Sequence, residues 1–78
     1  MECVMENKVI RLCAPEDVKE FVSAAEKCDF DIDVIYNRII VDAKSFLGVL
    51  GLVSNPVTVA CRGYDSTFEN TIKKFAVG

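Results

Sequence analysis

Residues 31–52, DIDVIYNRIIVDAKSFLGVLGL, change character partway through. Residues 31–43 alternate with a period of two around Asn37-Arg38, the pattern of two antiparallel strands joined by a two-residue turn. Asn37 accepts the positive φ such a turn requires; Arg38 stands where glycine is more usual. The turn fixes the pairing: Tyr36 with Ile39, Ile35 with Ile40, Val34 with Val41, Asp33 with Asp42. One face of this hairpin, Ile32, Val34, Tyr36, Ile39 and Val41, is expected under helices. After Lys44 the alternation stops, and Phe46, Leu47, Val49, Leu50 and Leu52 are mostly too apolar for an ordinary surface helix. Val49 and Leu52, with Phe46 or Leu50, are expected to pack on the sheet, leaving one or two bulky side chains exposed. Ser45 opens this helix as a good N-cap, worth about 1 kcal/mol. Gly48 and Gly51 each weaken it by about 1 kcal/mol relative to alanine, or permit close approach by the sheet or a partner.

Outward from this stretch, KVIRLCA (8–14) reads as a strand and PEDVKEFVSAAEKC (15–28) as a helix. Pro15 suits the helix's first turn by its fixed φ, and Glu16 and Asp17 by their charge against the dipole. Val18, Phe21, Val22 and Ala25 fall on one helical face. Asn55-Pro56 marks a turn, VTVAC (57–61) a strand, and STFENTIKKF (66–75) a last helix with Phe68, Ile72 and Phe75 inward. The order is β-α-β-β-α-β-α in a single domain spanning residues 1–78, without repeats or linkers.

Composition narrows the function. The chain has 78 residues, 51% hydrophobic and 27% charged, with net charge −3. Half its residues being apolar excludes disorder. Basic residues are scattered, only Lys73 and Lys74 adjoining, so nucleic acid is not the expected partner. No run approaches a membrane span, and the first residues lack a leader's basic and apolar regions, so a cytoplasmic protein is expected. Cys3, Cys13, Cys28 and Cys61 form no C-x-x-C pair, and no histidine is present to complete a mixed metal site. They are read as small buried hydrophobes, with room for one exposed thiol near the N-terminus. Asp31, Asp33 and Asp42 gather at one end of the sheet. They suit a solvated edge better than a cation site. Neither a metal nor a cofactor is expected, and without histidine most hydrolytic machinery is out.

The element order, together with Phe21-Val22, the Ile32/Val34 alternation, Asn37 at the hairpin turn, Ala43-Lys44-Ser45 and Gly63-Tyr64-Asp65, resembles the phosphocarrier protein HPr family of the bacterial sugar phosphotransferase system. The resemblance covers nearly the whole chain. It implies an α/β (α+β) open-faced sandwich: a four-stranded antiparallel sheet with three helices on one face. The family works through a histidine just before the first helix, followed by an arginine and a proline. Here CAPED (13–17) shortens that loop, Glu16 and Asp17 stand about where the arginine and proline would, and the chain has no histidine. Phosphohistidine transfer, which needs a nitrogen nucleophile, is excluded. Cys13 is a poor substitute, since both acids oppose a thiolate there. The chain is therefore expected not to be an enzyme.

What the resemblance implies for regulation centres on Ser45. In many Gram-positive bacteria a dedicated kinase phosphorylates the matching serine, and the product binds a catabolite repressor. One known relative lacks the histidine, keeps the serine and acts only in regulation. Phosphate at a helix N-terminus meets free N–H groups. Lys44, Phe46, Leu47 and Leu50 would then form the partner surface. Two readings stay open: Ser45 as switch, or Ser45 as a cap only. In the second, the domain works through the free face of the sheet, where Ile35 and Ile40, joined by Ile10, Leu12 and Ala60, would support a homodimer or a partner domain.

Overall fold

The computed structural model describes residues 7–77. The elements are β1 (Asn7–Arg11), α1 (Pro15–Glu26), β2 (Ile32–Tyr36), β3 (Ile39–Asp42), α2 (Phe46–Leu50), β4 (Pro56–Cys61) and α3 (Ser66–Phe75). All strand pairs are antiparallel, in the order β1-β4-β2-β3. The element order agrees with the sequence reading, and the hairpin register agrees residue for residue, including Asp33 against Asp42. Of the two turn residues only Asn37 has positive φ, at 55°, so Arg38 needs no glycine-like conformation.

The core lies between the sheet and the helices. Val18, Phe21, Val22 and Ala25 of α1, and Phe68 and Ile72 of α3, are buried as their spacing requires. Phe21 and Phe68 join the two helices, ring centroids 5.6 Å apart at 49°. From the sheet come Ile10, Ile32, Val34, Val57 and Val59, with Tyr36 and Val41 partly buried beside them. Ile39 lies on the same side but beyond the helices' cover, half exposed.

Ile10 and Leu12, expected on the free face, are in the core instead. Ile10 pairs with Val57, whose side chain faces the helices, and Leu12 follows two residues on. The free-face positions of β1 belong to Val9 and Arg11, paired with Thr58 and Pro56. Arg11 faces water, and its parity sends both neighbours inward. Charge alone gives no phase here, because Lys8 is charged too and has the core-facing parity, opposite Val59. Its side chain reaches past the core to Glu69 at 3.9 Å. Ala60 does keep the expected side, since it pairs with Asp33 and Asn7, but it is covered. At the outer edge of β1 the chain's end adds a short bridge, Ile10 to Ala76, and the Val77 amide donates to the Val9 carbonyl.

Candidate functional site

Two places matter: the N-terminus of α1, where an HPr-like phosphoryl site would stand, and α2 with its cap. At the first, Ala14 occupies the N-cap position with extended backbone and no capping side chain. The Asp17 carboxylate reaches back to accept from the Cys13 amide at 3.0 Å. An amide that a bound anion would use is thus taken by the chain's own carboxylate, and Glu16 stands exposed beside it. Such a helix start repels anions. The Cys13 thiol is exposed.

The other two described cysteines are interior. Burial pushes the Cys28 thiol above its ordinary pKa, helped by the negative charge of Asp65, and its Sγ contacts the Ala24 carbonyl. Burial, and then Glu69, push Cys61 up to about 11. Both are inert as nucleophiles at neutral pH. Cys3 lies outside the described residues. Among the described residues no group of three or more acids or cysteines is placed to hold a metal ion. No helix there is long and apolar enough to cross a membrane.

At α2 the Ser45 backbone is extended and its Oγ accepts from the Gly48 amide at 3.2 Å, so the serine caps the helix. Gly48 has a local reason. A Cβ there would come within 3.2 Å of Ser45 Oγ and 3.3 Å of Val41, so glycine lets the helix lie close on β3. The turn before it is tightened by Asp42, whose carboxylate accepts from the Lys44 amide at 2.9 Å and whose carbonyl accepts from the Ser45 amide.

Lys44 is half-buried, and its ammonium donates to the Cys28 carbonyl at 2.9 Å. That carbonyl lies just past the end of α1, where a cation also opposes the helix dipole. The side chain therefore ties α2's start to α1's end. In the free domain it acts as a strut. Val49 and Leu52 are buried, and Leu50 is partly buried against the core. Phe46 and Leu47 remain exposed, at 38% and 79%. An exposed serine hydroxyl thus stands at the rim of an apolar patch made by the next two residues.

With five residues, α2 is too short to develop much dipole or to hold itself by backbone bonds alone. The attraction of its N-terminus for an anion is correspondingly smaller than a longer helix would give. Near the start of α3, Tyr64 is exposed, and Asp65 caps the helix by accepting from Phe68 at 2.9 Å. Gly63 lies against the Phe30 ring, where a Cβ would stand 2.6 Å from two ring carbons.

No protein-family model matches the chain, and none of the curated protein sequences does. Several solved structures share its architecture. A phosphocarrier protein HPr from Bacillus anthracis strain Ames superposes with a TM-score of 0.71 at 21% identity, covering 92% of this chain and 98% of that one. HPr-C-His from Thermoanaerobacter tengcongensis gives 0.71 at 22% identity, with 90% of this chain and 89% of that one covered. The likeness establishes the fold: the chain is an HPr-like open-faced sandwich.

Proposed function

We propose that this chain is a non-catalytic regulatory domain on an HPr-like scaffold, binding a protein partner through α2 and switched by phosphorylation of Ser45. The observation that carries the reading is the exposed Ser45 hydroxyl beside the exposed Phe46 and Leu47. A buried partner surface needs apolar anchors, and an exposed leucine and phenylalanine in adjacent positions supply them. A phosphate on Oγ adds about −1.5 to −2 charges at the rim and three strong acceptors. The Gly48 amide, already turned toward Oγ, remains available to one of them. The helix keeps a capping acceptor while the rim of the apolar surface gains negative charge.

Phosphohistidine transfer finds no support. The chain has no histidine, and Asp17 occupies the Cys13 amide at α1's N-terminus. The domain is thus read as not an enzyme, working in a bacterial cytoplasm. Its partners are a serine kinase and a transcriptional regulator carrying basic side chains around an apolar pocket. The test is intact mass after incubation with ATP and a serine kinase that acts on HPr. A Ser45→Ala control and an ordinary HPr are included in the same series. One phosphate on the wild type and none on the variant is the expected result. Phosphorylation of HPr but not of this chain leaves Ser45 a cap and removes the switch.

A further inference from the structure

The free face of the sheet carries a charge pattern independent of α2. Its central row runs Val9, Thr58, Ile35, Ile40 across the four strands. Ile40 is 65% exposed and Val9 43%. At one end of the strands, Asp33 and Asp42 sit directly opposite each other, with Asp31 beyond them by the same alternation. Arg62 answers only part of this, 3.8 Å from Asp33. Among the described residues of this face, three carboxylates against one guanidinium leave about two negative charges at that end. The other end has Arg11 on β1 and Arg38 in the β2–β3 turn, both exposed, two positive charges. Like charges opposed on a sheet pair are unfavourable, yet both ends concentrate one sign.

From this we infer that the free face is the interface of a symmetric homodimer. Consider a twofold axis lying across the strands, in the plane between two stacked sheets. It reverses strand direction, so each copy's acidic end lies over its partner's basic end, and the two apolar rows meet in the middle. Arg38 then stands across from Asp33 and Asp42 in both halves of the interface, with Arg11 adding a longer-range attraction. The same surface opposes itself in the other simple twofold, along the strands, where acid meets acid. Charge thus selects one register as well as favouring association.

The face is small. Four strands of about five residues span roughly 19 by 16 Å. Such a patch, roughly 300 Å² on each copy, lies below the usual size of specific interfaces, so the dimer is weak and concentration-dependent, with Kd on the order of hundreds of micromolar. The edge of β3 is a poorer route to association, because its strand is short and the Asp42 carbonyl is engaged by the Ser45 amide.

The experiment is sedimentation equilibrium of the full chain between about 10 µM and 1 mM at low and high salt. Three variants accompany it: Ile40→Lys, the pair Arg11→Glu with Arg38→Glu, and the pair Asp31→Lys with Asp33→Lys. All are exposed or half-exposed positions, and circular dichroism checks that each still folds. The wild type is expected to dimerise, with Kd rising at least fivefold from about 50 to 500 mM salt. Ile40→Lys and each charge-reversed pair should weaken self-association tenfold or more. The decisive observation is a mixture: the two charge-reversed variants should pair with each other better than either pairs with itself. A monomer at 1 mM and low salt overturns the inference. So does a dimer that ignores these substitutions but is lost in Leu47→Glu, which would place the interface on α2 instead.

Discussion

Helices α1 and α2 are built by opposite means. The first has twelve residues, buries Val18, Phe21, Val22 and Ala25, and has no side-chain cap at all. The second has five, buries only Val49 within its bounds, and is held at its start by Ser45. Packing secures α1, so its ends tolerate an unhelpful Ala14. Local hydrogen bonds secure α2, and its remaining apolar surface is left over from folding. A helix of that kind can present Phe46 and Leu47 to another molecule, and can change its charge at the cap, without disturbing the core.

The comparison breaks most sharply at Phe21. Phe21→Ala empties a fully buried site against Phe68 and should cost about 3–5 kcal/mol, enough to unfold much of a domain this size. Leu47→Ala, in the other helix, should change urea stability by less than about 0.5 kcal/mol. Near-equal effects would show that Leu47 is part of the core. Outside both helices, Gly63→Ala presses a methyl into the Phe30 ring and is expected to cost about 1–3 kcal/mol by the same assay.

The core also has a pH signature that α2 lacks. Cys61 ionises near the ordinary thiol value of 9.0 when unfolded, and burial pushes it up to about 11 when folded. The unfolded state therefore loses its proton first as pH rises. The stability Cys61 contributes is full below pH 9, falls between 9 and 11, and is gone above that. The melting temperature should drop across this window as up to about 3 kcal/mol of stability from this thiol is lost, and the drop should shrink in Cys61→Ala. A melting temperature flat to pH 11 would contradict the burial of that thiol.

The smallest effects sharpen the contrast at the caps. Ser45→Ala should cost about 1 kcal/mol, while Ser45→Asp, an equally good cap, should cost almost nothing. Adding at α1 the cap it lacks, Ala14→Ser, should gain about 0.5 kcal/mol or less, since Asp17 already serves part of that turn. Paired urea titrations read both.

Much of the architecture was legible because local signals agreed. Asn37 fixed the turn, the turn fixed the hairpin register, and the spacing of Val18, Phe21, Val22 and Ala25 fixed α1's inner face. β1 was harder. Val9, Ile10 and Leu12 are all apolar, so hydrophobicity alone gives no phase, and the two charged residues, Lys8 and Arg11, lie on opposite parities, so charge gives none either. The candidate site was legible as a position but not as a set of contacts. Ser45 as a cap follows from its place before a short apolar segment. The Lys44 ammonium on the Cys28 carbonyl joins residues 16 apart in sequence, and the Phe30 ring over Gly63 joins residues further apart still. Such contacts depend on how α1 crosses the sheet, which no local pattern encodes. What separates a docking leucine from a core leucine is likewise a matter of helix rotation, visible only once Val49 and Leu52 are seen to fill the core side.

The central claim is that Ser45 changes a surface while the fold stands still. The most direct measurement is the amide 1H–15N spectrum of the chain before and after incubation with ATP and a serine kinase that acts on HPr. The account predicts a large downfield shift of the Ser45 amide, with smaller changes confined to residues 42–52, while α1, α3 and the β1–β4 pairs keep their positions. An unchanged Ser45 signal, or shifts spread through the core, would contradict it.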